Sequence, residues 1–393
     1  MSRRRFLDLL GVLVLLAGLA LALAHATRDT GTARVVMAVA VSSDGRYALS
    51  SHRNRELILW DLHRRTHKTI STHANIYSAA FVPGRHAFLW QDLDDLVRVQ
   101  TNDGELLKSF QLVPVYSHAI SGDLQTYLAS DEAWRLWSRI GTKPPRLLKQ
   151  GDSGSLLGLG KALSVQLGSD PHLALTAGFG AYFHARLEAT SNEEARGFER
   201  FDGVALWDLH AGWPVYNFPG NSAKTHATLS PDGKFVVSVD ENAKAFVWDT
   251  MTGGLAYRVS GLGAGVYVGG HELGSPQNWD ASGMHLNPED LPDDLAGTAQ
   301  LGVHFVGARH FVILHTYHPY AVLYELGDPF ALAILPLGED PFPSVASYAR
   351  NAAIDSAPEA GILVTGQRQG GGINVYRFDP GSQSLERIWT PTP

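Results

Sequence analysis

The sequence predicts an all-β fold built from about seven similar four-stranded sheets, and a repeated pattern is the first reason. Three segments end in the same way, with an apolar run followed by Trp-Asp: ELILWDL at 56–62, GVALWDL at 203–209 and KAFVWDT at 244–250. Asp-Gly turns precede the first and third of them, and Asp-Gly between apolar runs is a strong hairpin signal. Trp60 lies 16 residues after Asp44, and Trp248 lies 16 residues after Asp232. Two such copies in register indicate an internal repeat.

Weaker copies of the pattern supply the second observation. They occupy residues 76–100, 115–138, 300–326 and 352–378. The positions that correspond to the tryptophan are then Trp60, Val99, Trp137, Trp207, Trp248, Tyr324 and Tyr376. Three of the intervals are 39, 38 and 41 residues, and the others are longer through insertions. A repeat of about 40 residues with four short strands is typical of one propeller blade. The sequence therefore predicts a seven-bladed β-propeller over 35–393, with six or eight blades left open.

These segments resemble WD repeats, most closely around Trp60 and Trp248. Members of that family usually carry a Gly-His pair before the first strand and an aspartate in the turn before the third. Here Asn54 and Asn242 stand six residues before the two tryptophans. The departure predicts that the hydrogen-bonded network of well-conserved WD repeats is absent. The resemblance implies a rigid platform that binds other proteins.

The N-terminus predicts an export signal or a membrane anchor. Three arginines at 3–5 precede the uncharged run Leu9–Ala24, and Ala24-His25-Ala26 then has the small-x-small pattern of a signal peptidase site. The pattern favours a cleaved signal peptide over 1–26, while an uncleaved hydrophobic helix, attached to the membrane through residues 6–24, stays open. Residues 27–34 are then a linker. Either alternative predicts a location in the periplasm or on the extracytoplasmic face of the inner membrane.

Composition excludes several kinds of chemistry. The 393-residue chain has no cysteine, so it has no disulfide, no Cys-based zinc or iron–sulfur site and no lipidated cysteine. A net charge of −7 argues against a protein that coats nucleic acid. The pairs His63/His67 and His315/His318 fall on predicted strands and turns, where such spacing does not mark a metal site. No catalytic, cofactor-binding or metal-binding residue is predicted.

Insertions indicate where a partner would bind. The two longest are residues 180–202, between the second and third strands of the fourth blade, and 261–299, between the fifth and sixth blades. A Gly-rich segment at 368–372 lies between the second and third strands of the seventh blade. Antiparallel strands place all three connections at one end of the propeller, and loops of this length are usually functional or disordered. We expect this end to bind a partner, the alternative being that the loops only cap the channel or decorate the rim.

Taken together, these features predict a non-enzymatic, exported or membrane-anchored scaffold or assembly factor that binds protein partners. One alternative is a periplasmic enzyme or redox protein with a metal or organic cofactor at the channel mouth. Another is a propeller that binds a sugar or other ligand. A basic cluster in the first blade (Arg53, Arg55, Arg64, Arg65 and Lys68) raises a further hypothesis of contact with anionic lipid, although a solvated rim is favoured.

Overall fold

The described residues form seven four-stranded antiparallel sheets. The structure is a computed structural model, and it describes residues 34–131, 135–148, 161–179, 203–218, 225–240, 244–259, 301–315, 320–337, 353–367 and 370–393. Within each sheet the strands follow one another in chain order, and the first strands of neighbouring sheets contact each other around a closed ring. The predicted seven-bladed β-propeller is therefore confirmed.

We name the strands of each blade a to d, from the innermost to the outermost. Strands a are β1 (Val36–Val41), β5 (Ala74–Phe81), β9 (Val115–Ile120), β13 (Lys161–Leu167), β17 (Thr225–Leu229), β21 (Leu301–Phe305) and β25 (Ile354–Ala357). Strands b are β2 (Tyr47–His52), β6 (Ala87–Asp92), β10 (Thr126–Asp131), β14 (Leu173–Phe179), β18 (Phe235–Asp240), β22 (His310–His315) and β26 (Ile362–Gly366). Strands c are β3 (Leu57–Asp61), β7 (Leu96–Thr101), β11 (Leu136–Ile140), β15 (Val204–Asp208), β19 (Ala245–Asp249), β23 (Tyr320–Glu325) and β27 (Ile373–Asp379). Strands d are β4 (Thr66–Ser71), β8 (Leu106–Gln111), β12 (Arg146–Leu147), β16 (Trp213–Asn217), β20 (Leu255–Arg258), β24 (Ala333–Pro336) and β28 (Ser384–Trp389).

The turn between strands a and b repeats in atomic detail. In the first blade, the Ser42 hydroxyl donates to Asp44 Oδ1 at 2.6 Å and accepts from the amide of Tyr47 at 2.8 Å. The same bonds join the third-blade residues Ser121, Asp123 and Thr126 and the fifth-blade residues Ser230, Asp232 and Phe235. Gly45 has a φ of 66°, which glycine adopts without a steric penalty. The local turn chemistry thus explains why Asp-Gly marks the hairpins.

Five of the seven predicted repeat positions are structurally equivalent. Each pairs with the second residue of its strand b, as Trp60–Ala48, Trp207–Ala174, Trp248–Val236, Tyr324–Phe311 and Tyr376–Leu363. All five aromatic side chains are buried. The predictions of Val99 and Trp137 are wrong, because the equivalent positions hold Gln100 and Arg139. At the latter, the guanidinium lies 4.5 Å from the centre of the Phe110 ring, so an arginine covers apolar surface where other blades use an aromatic ring.

Part of the network that was predicted to be absent is present. The indole N–H groups of three tryptophans donate to hydroxyls on strand b, as Trp60–Ser50 at 2.8 Å, Trp207–Thr176 at 2.9 Å and Trp248–Ser238 at 3.1 Å. In three blades strand b also ends in an aspartate whose Oδ1 accepts a hydrogen bond from the backbone amide four residues later. The pairs are Asp92 with Leu96, Asp131 with Arg135 and Asp240 with Lys244. In the fifth blade this aspartate stands eight residues before Trp248, not six, so the family spacing does not reveal it.

The apolar core lies between the blades. Among the described residues there are seven buried clusters, and each joins two neighbouring sheets, so every interface in the ring has its own cluster. A four-stranded sheet is too small to be stable alone, and stacking against neighbours buries both faces. With no cysteine in the chain, these interfaces hold the ring without disulfides.

The ring closes by packing the seventh blade against the first. The Val41 amide donates to Asp355 Oδ2 at 2.8 Å. At the outer strands of the same interface, the rings of Trp60 on β3 and Trp389 on β28 meet edge to face, with their centres 6.2 Å apart. Each blade is built from one continuous stretch of chain, so closure depends on side chains and not on a shared sheet.

The N-terminal prediction and the basic cluster have different outcomes. The predicted signal or anchor at 1–26 lies outside the described residues, and within the described ranges no helix is long and apolar enough to cross a membrane. The basic residues do not form one patch. Arg53 and Arg55 lie between β2 and β3, whereas Arg64 and Arg65 lie between β3 and β4, at the opposite end of strand β3. The lipid hypothesis therefore loses its geometric basis.

Candidate functional site in the central channel

The two ends of the propeller differ in the length of their connections. Strands a and b are joined by short turns such as 42–46, and strands c and d by turns such as 62–65. The long connections join strand b to c or strand d to the next strand a. They include the predicted insertions at 180–202 and 261–299, which lie outside the described residues. The strands that flank them end at one end of the propeller, as predicted.

Sequence reasoning missed two more long connections and misjudged the Gly-rich segment. Residues 148–160 join β12 to β13, and residues 337–353 join β24 to β25; no repeat argument singled out either connection. In 368–372, Gly371 has a φ of 68°, and a Cβ there would collide with the backbone of Arg34. A Cβ at Gly372 would collide with the carbonyl oxygen of Pro391. These glycines therefore allow close packing where the ring closes.

A cavity of about 500 Å³ lies at the end opposite the insertions. All seven strands a contribute to its wall, so it is the widened end of the central channel. Turns between strands a and b form its mouth, with Ser43, Pro83, Ser169, Pro231 and Glu359 among the lining residues. This cavity is thus not at the end that the insertions indicate.

A narrower space of about 150 Å³ is lined by many of the same inner-strand residues. Three ionisable side chains line both spaces: His118 from β9, His304 from β21 and Asp355 from β25. They come from the third, sixth and seventh blades, which explains why no sequence motif contains them. Among the described residues, no three His, Asp or Glu side chains form a group that could hold a metal ion.

Side chains in the channel also bind the free edges of the strands a. Asp355 Oδ2 accepts from Val41 N at 2.8 Å, and Gln166 Oε1 accepts from Leu229 N at 3.0 Å. Val41 and Leu229 are the last residues of strands β1 and β17. Each stands three residues before the aspartate of the turn that follows, Asp44 or Asp232. In both cases the oxygen comes from the preceding blade. A buried amide needs an acceptor, so an inward-facing polar side chain meets a backbone requirement at these positions.

Asp355 is in an electrostatically unfavourable position. Burial raises its pKa to about 6, although the amides of Val41 and Ser356 act in the opposite direction. The described residues that line the cavity include the carboxylates of Asp355 and Glu359 but no lysine or arginine. Asp355 therefore stands in the channel wall without a cation beside it. An ionised carboxylate in such a place costs free energy unless something pairs with it.

His304 is the second unusual group in the channel wall. Its side chain is buried, and burial lowers its pKa to about 4, so the imidazole is neutral at physiological pH. Its Nε2 atom has no hydrogen-bond partner. Most buried polar atoms are hydrogen-bonded, so an exception that lines a cavity is a candidate contact for a ligand.

Comparison with known proteins identifies two repeat segments. Residues 25–61 and 212–249 match the family described as WD domain, G-beta repeat. The chain therefore has two segments that match WD repeats within a seven-bladed β-propeller. The two matched WD repeats end at Asp61 and Asp249, directly after the tryptophans of the first and fifth blades, where the sequence resemblance is strongest.

Solved structures support the same propeller architecture. The chain is similar to the β-propeller domain of Cps50 (Swd1) from Myceliophteria thermophila, with a TM-score of 0.61 and 11% sequence identity. The match covers 88% of this chain and 96% of that one. In all, 1530 solved chains match significantly, so the likeness identifies a common fold and not a partner. No curated protein gives a significant match.

Proposed function

We propose that the protein is a non-enzymatic, exported scaffold that binds a protein partner through the end carrying the insertions 180–202 and 261–299. The WD-repeat propeller supplies the rigid platform, and such propellers typically bind proteins. One observation carries the choice of end. Long connections join only strands b to c and strands d to a, while the described turns at the other end are short. Long loops on a rigid scaffold are where binding residues concentrate.

The chemistry of 261–299 suits a partner-binding loop. It contains apolar and aromatic residues such as Tyr267, Trp279 and Met284, together with acidic residues at 289–294. Aromatic and methionine side chains are enriched in protein interfaces, and charged residues are typical of their rims. The segment thus has the residue types of an interface core and rim in one stretch.

Export rests on the N-terminal pattern in residues 1–26. Mass spectrometry of the protein purified from its native host tests it. A cleaved signal predicts a mature chain that begins at Thr27 and fractionates with the periplasm. An intact N-terminus in the membrane fraction would instead support an anchor at residues 6–24. A chain with an intact N-terminus in the cytoplasm would contradict export.

A deletion tests the binding end. Residues 261–299 are replaced by a short Gly-Ser linker in the full-length protein, which is then purified under native conditions beside the unaltered chain. We expect a partner that co-purifies in stoichiometric amount with the unaltered chain to be lost, while the melting temperature of the propeller stays the same. An Asp103→Asn variant, altered in an exposed turn at the other end, is the matched control and should retain the partner. Retention of every partner by the deletion variant would contradict the assigned role.

A further inference from the structure

We propose that the channel end formed by the turns between strands a and b binds a ligand through an ammonium or guanidinium group, held by Asp355 and His304. This site is at the opposite end from the insertions. It does not depend on the scaffold function, since its residues belong to strands β21 and β25 in the described ring.

Charge is the first argument. Two carboxylates line the cavity, Asp355 in the wall and Glu359 at the exposed mouth. No described lysine or arginine lines it, so the side chains there carry an excess of negative charge. Asp355 is partly buried where it lines the channel. A cation in the channel would offset the cost of the ionised carboxylate, and a second carboxylate at the mouth would favour its entry.

Hydrogen bonding is the second argument. The backbone amides of Val41 and Ser356 are the donors that contact Asp355, and neither carries a charge. His304 Nε2 has no partner, and both side chains line the wide and the narrow space of the channel. Ammonium and guanidinium groups carry several N–H donors and no acceptor, which suits a site lined by a carboxylate and a neutral imidazole.

Size is the third argument. A cavity of about 500 Å³ falls within the range of about 300–1,000 Å³ that is usual for small-ligand sites. It accommodates an alkyl chain that ends in a cation, and the apolar lining residues Val39, Phe81 and Leu229 suit the alkyl part. Two sources carry this chemistry: a free alkyl amine or guanidine, and a lysine or arginine side chain of a peptide.

Calorimetric titration of the full-length protein with matched probes tests the proposal. The cationic probes are agmatine and blocked Ala-Arg-Ala. Their neutral counterparts are butylurea, which lacks both cationic groups of agmatine, and blocked Ala-citrulline-Ala. At pH 7.5 we expect the cationic probes to bind at least tenfold more tightly than the neutral ones. Tighter binding of agmatine would identify a free amine as the source, and tighter binding of the tripeptide a side chain.

Two variants separate the site from nonspecific attraction. Asp355→Asn keeps an oxygen for the Val41 amide, and we expect it to lose at least tenfold in affinity for the cationic probes. Asp103→Asn, which removes the same charge from an exposed turn between β7 and β8, should bind as the unaltered chain does. Affinity should also fall as the pH drops below about 6, because protonation neutralises Asp355. Equal binding of charged and neutral probes, unchanged binding by Asp355→Asn, or no binding of any cation at millimolar concentration would overturn the proposal.

Discussion

Replacing Asp355 by asparagine is predicted to stabilise the protein at neutral pH. The carboxyl has a pKa of about 6 in the folded state, above the ordinary value near 4 of an unfolded chain. Between these values the folded state binds more protons than the unfolded state. The free energy of unfolding therefore falls as the pH rises from about 4 to about 6, and it remains lower above that range. Asparagine has no charge to bury and still offers an oxygen to the Val41 amide.

The magnitude follows from the pKa difference. About two pKa units at 1.36 kcal/mol each give a gain of about 3 kcal/mol for Asp355→Asn at pH 7.5. At pH 4.5 the folded wild-type carboxyl is already protonated, and the gain falls to about 1 kcal/mol. Unfolding entropy is about 2.1 cal/mol/K per residue, so over roughly 360 residues a gain of 3 kcal/mol raises the melting temperature by about 4 °C.

Scanning calorimetry of both proteins at pH 7.5 and pH 4.5 measures this difference. Asp103→Asn is the control, since its side chain is exposed and the substitution should change the melting temperature by less than 1 °C at either pH. A lower melting temperature for Asp355→Asn at pH 7.5, or a gain of the same size at both pH values, would refute the electrostatic reasoning. A gain confined to the higher pH would mean that Asp355 is kept at a cost to stability, as binding residues often are.

Two other substitutions test the packing of the ring. Ser50→Ala removes the acceptor of the buried Trp60 indole N–H and should lower the free energy of unfolding, measured by chemical denaturation, by about 1–3 kcal/mol. Ser382→Ala, at an exposed position, is its control. Equal stability of the two variants would contradict the importance of the Trp60–Ser50 bond. Gly371→Ala and Gly84→Ala both place a side chain at a φ of 68°, which lowers the free energy of unfolding by about 1–2 kcal/mol. Only Gly371 also lacks space for a Cβ, so Gly371→Ala should lower the free energy of unfolding by about 1–3 kcal/mol more than Gly84→Ala does. Equal losses would contradict close packing at the ring closure.

Local signals explain what the sequence could predict of the fold. Asp-Gly turns such as Asp44-Gly45 depend on residues a few positions apart, so their geometry is legible in the chain. The tryptophan positions could be found wherever an aromatic residue occupies them. In the third blade the equivalent residue is Arg139, whose guanidinium packs on an aromatic ring. Trp137, two residues earlier, has the expected aromatic side chain but stands at a different register position. Packing sets the requirement there, and more than one residue type meets it.

The channel site could not be found in the same way. Asp355 lies in the stretch IDSAPEAG, which reads as a turn before a strand. Its unusual pKa comes from burial, and its partner Val41 is 314 residues away in the chain. His304 is one of 17 histidines, and only ring closure brings it to the same cavity wall as Asp355. A single sequence contains no local mark of a contact made across a closed ring.

The most direct test of the channel site is the titration of the Asp355 carboxyl by NMR. The protein is labelled with ¹³C at the side-chain carboxyl carbon of aspartate, and the Asp355 resonance is assigned by its loss in Asp355→Asn. We predict a pKa of about 6 in the free protein and a lower pKa in the presence of saturating agmatine, because a bound cation favours the ionised carboxylate. A pKa near 4 in the free protein, or a pKa that agmatine leaves unchanged, would contradict the account.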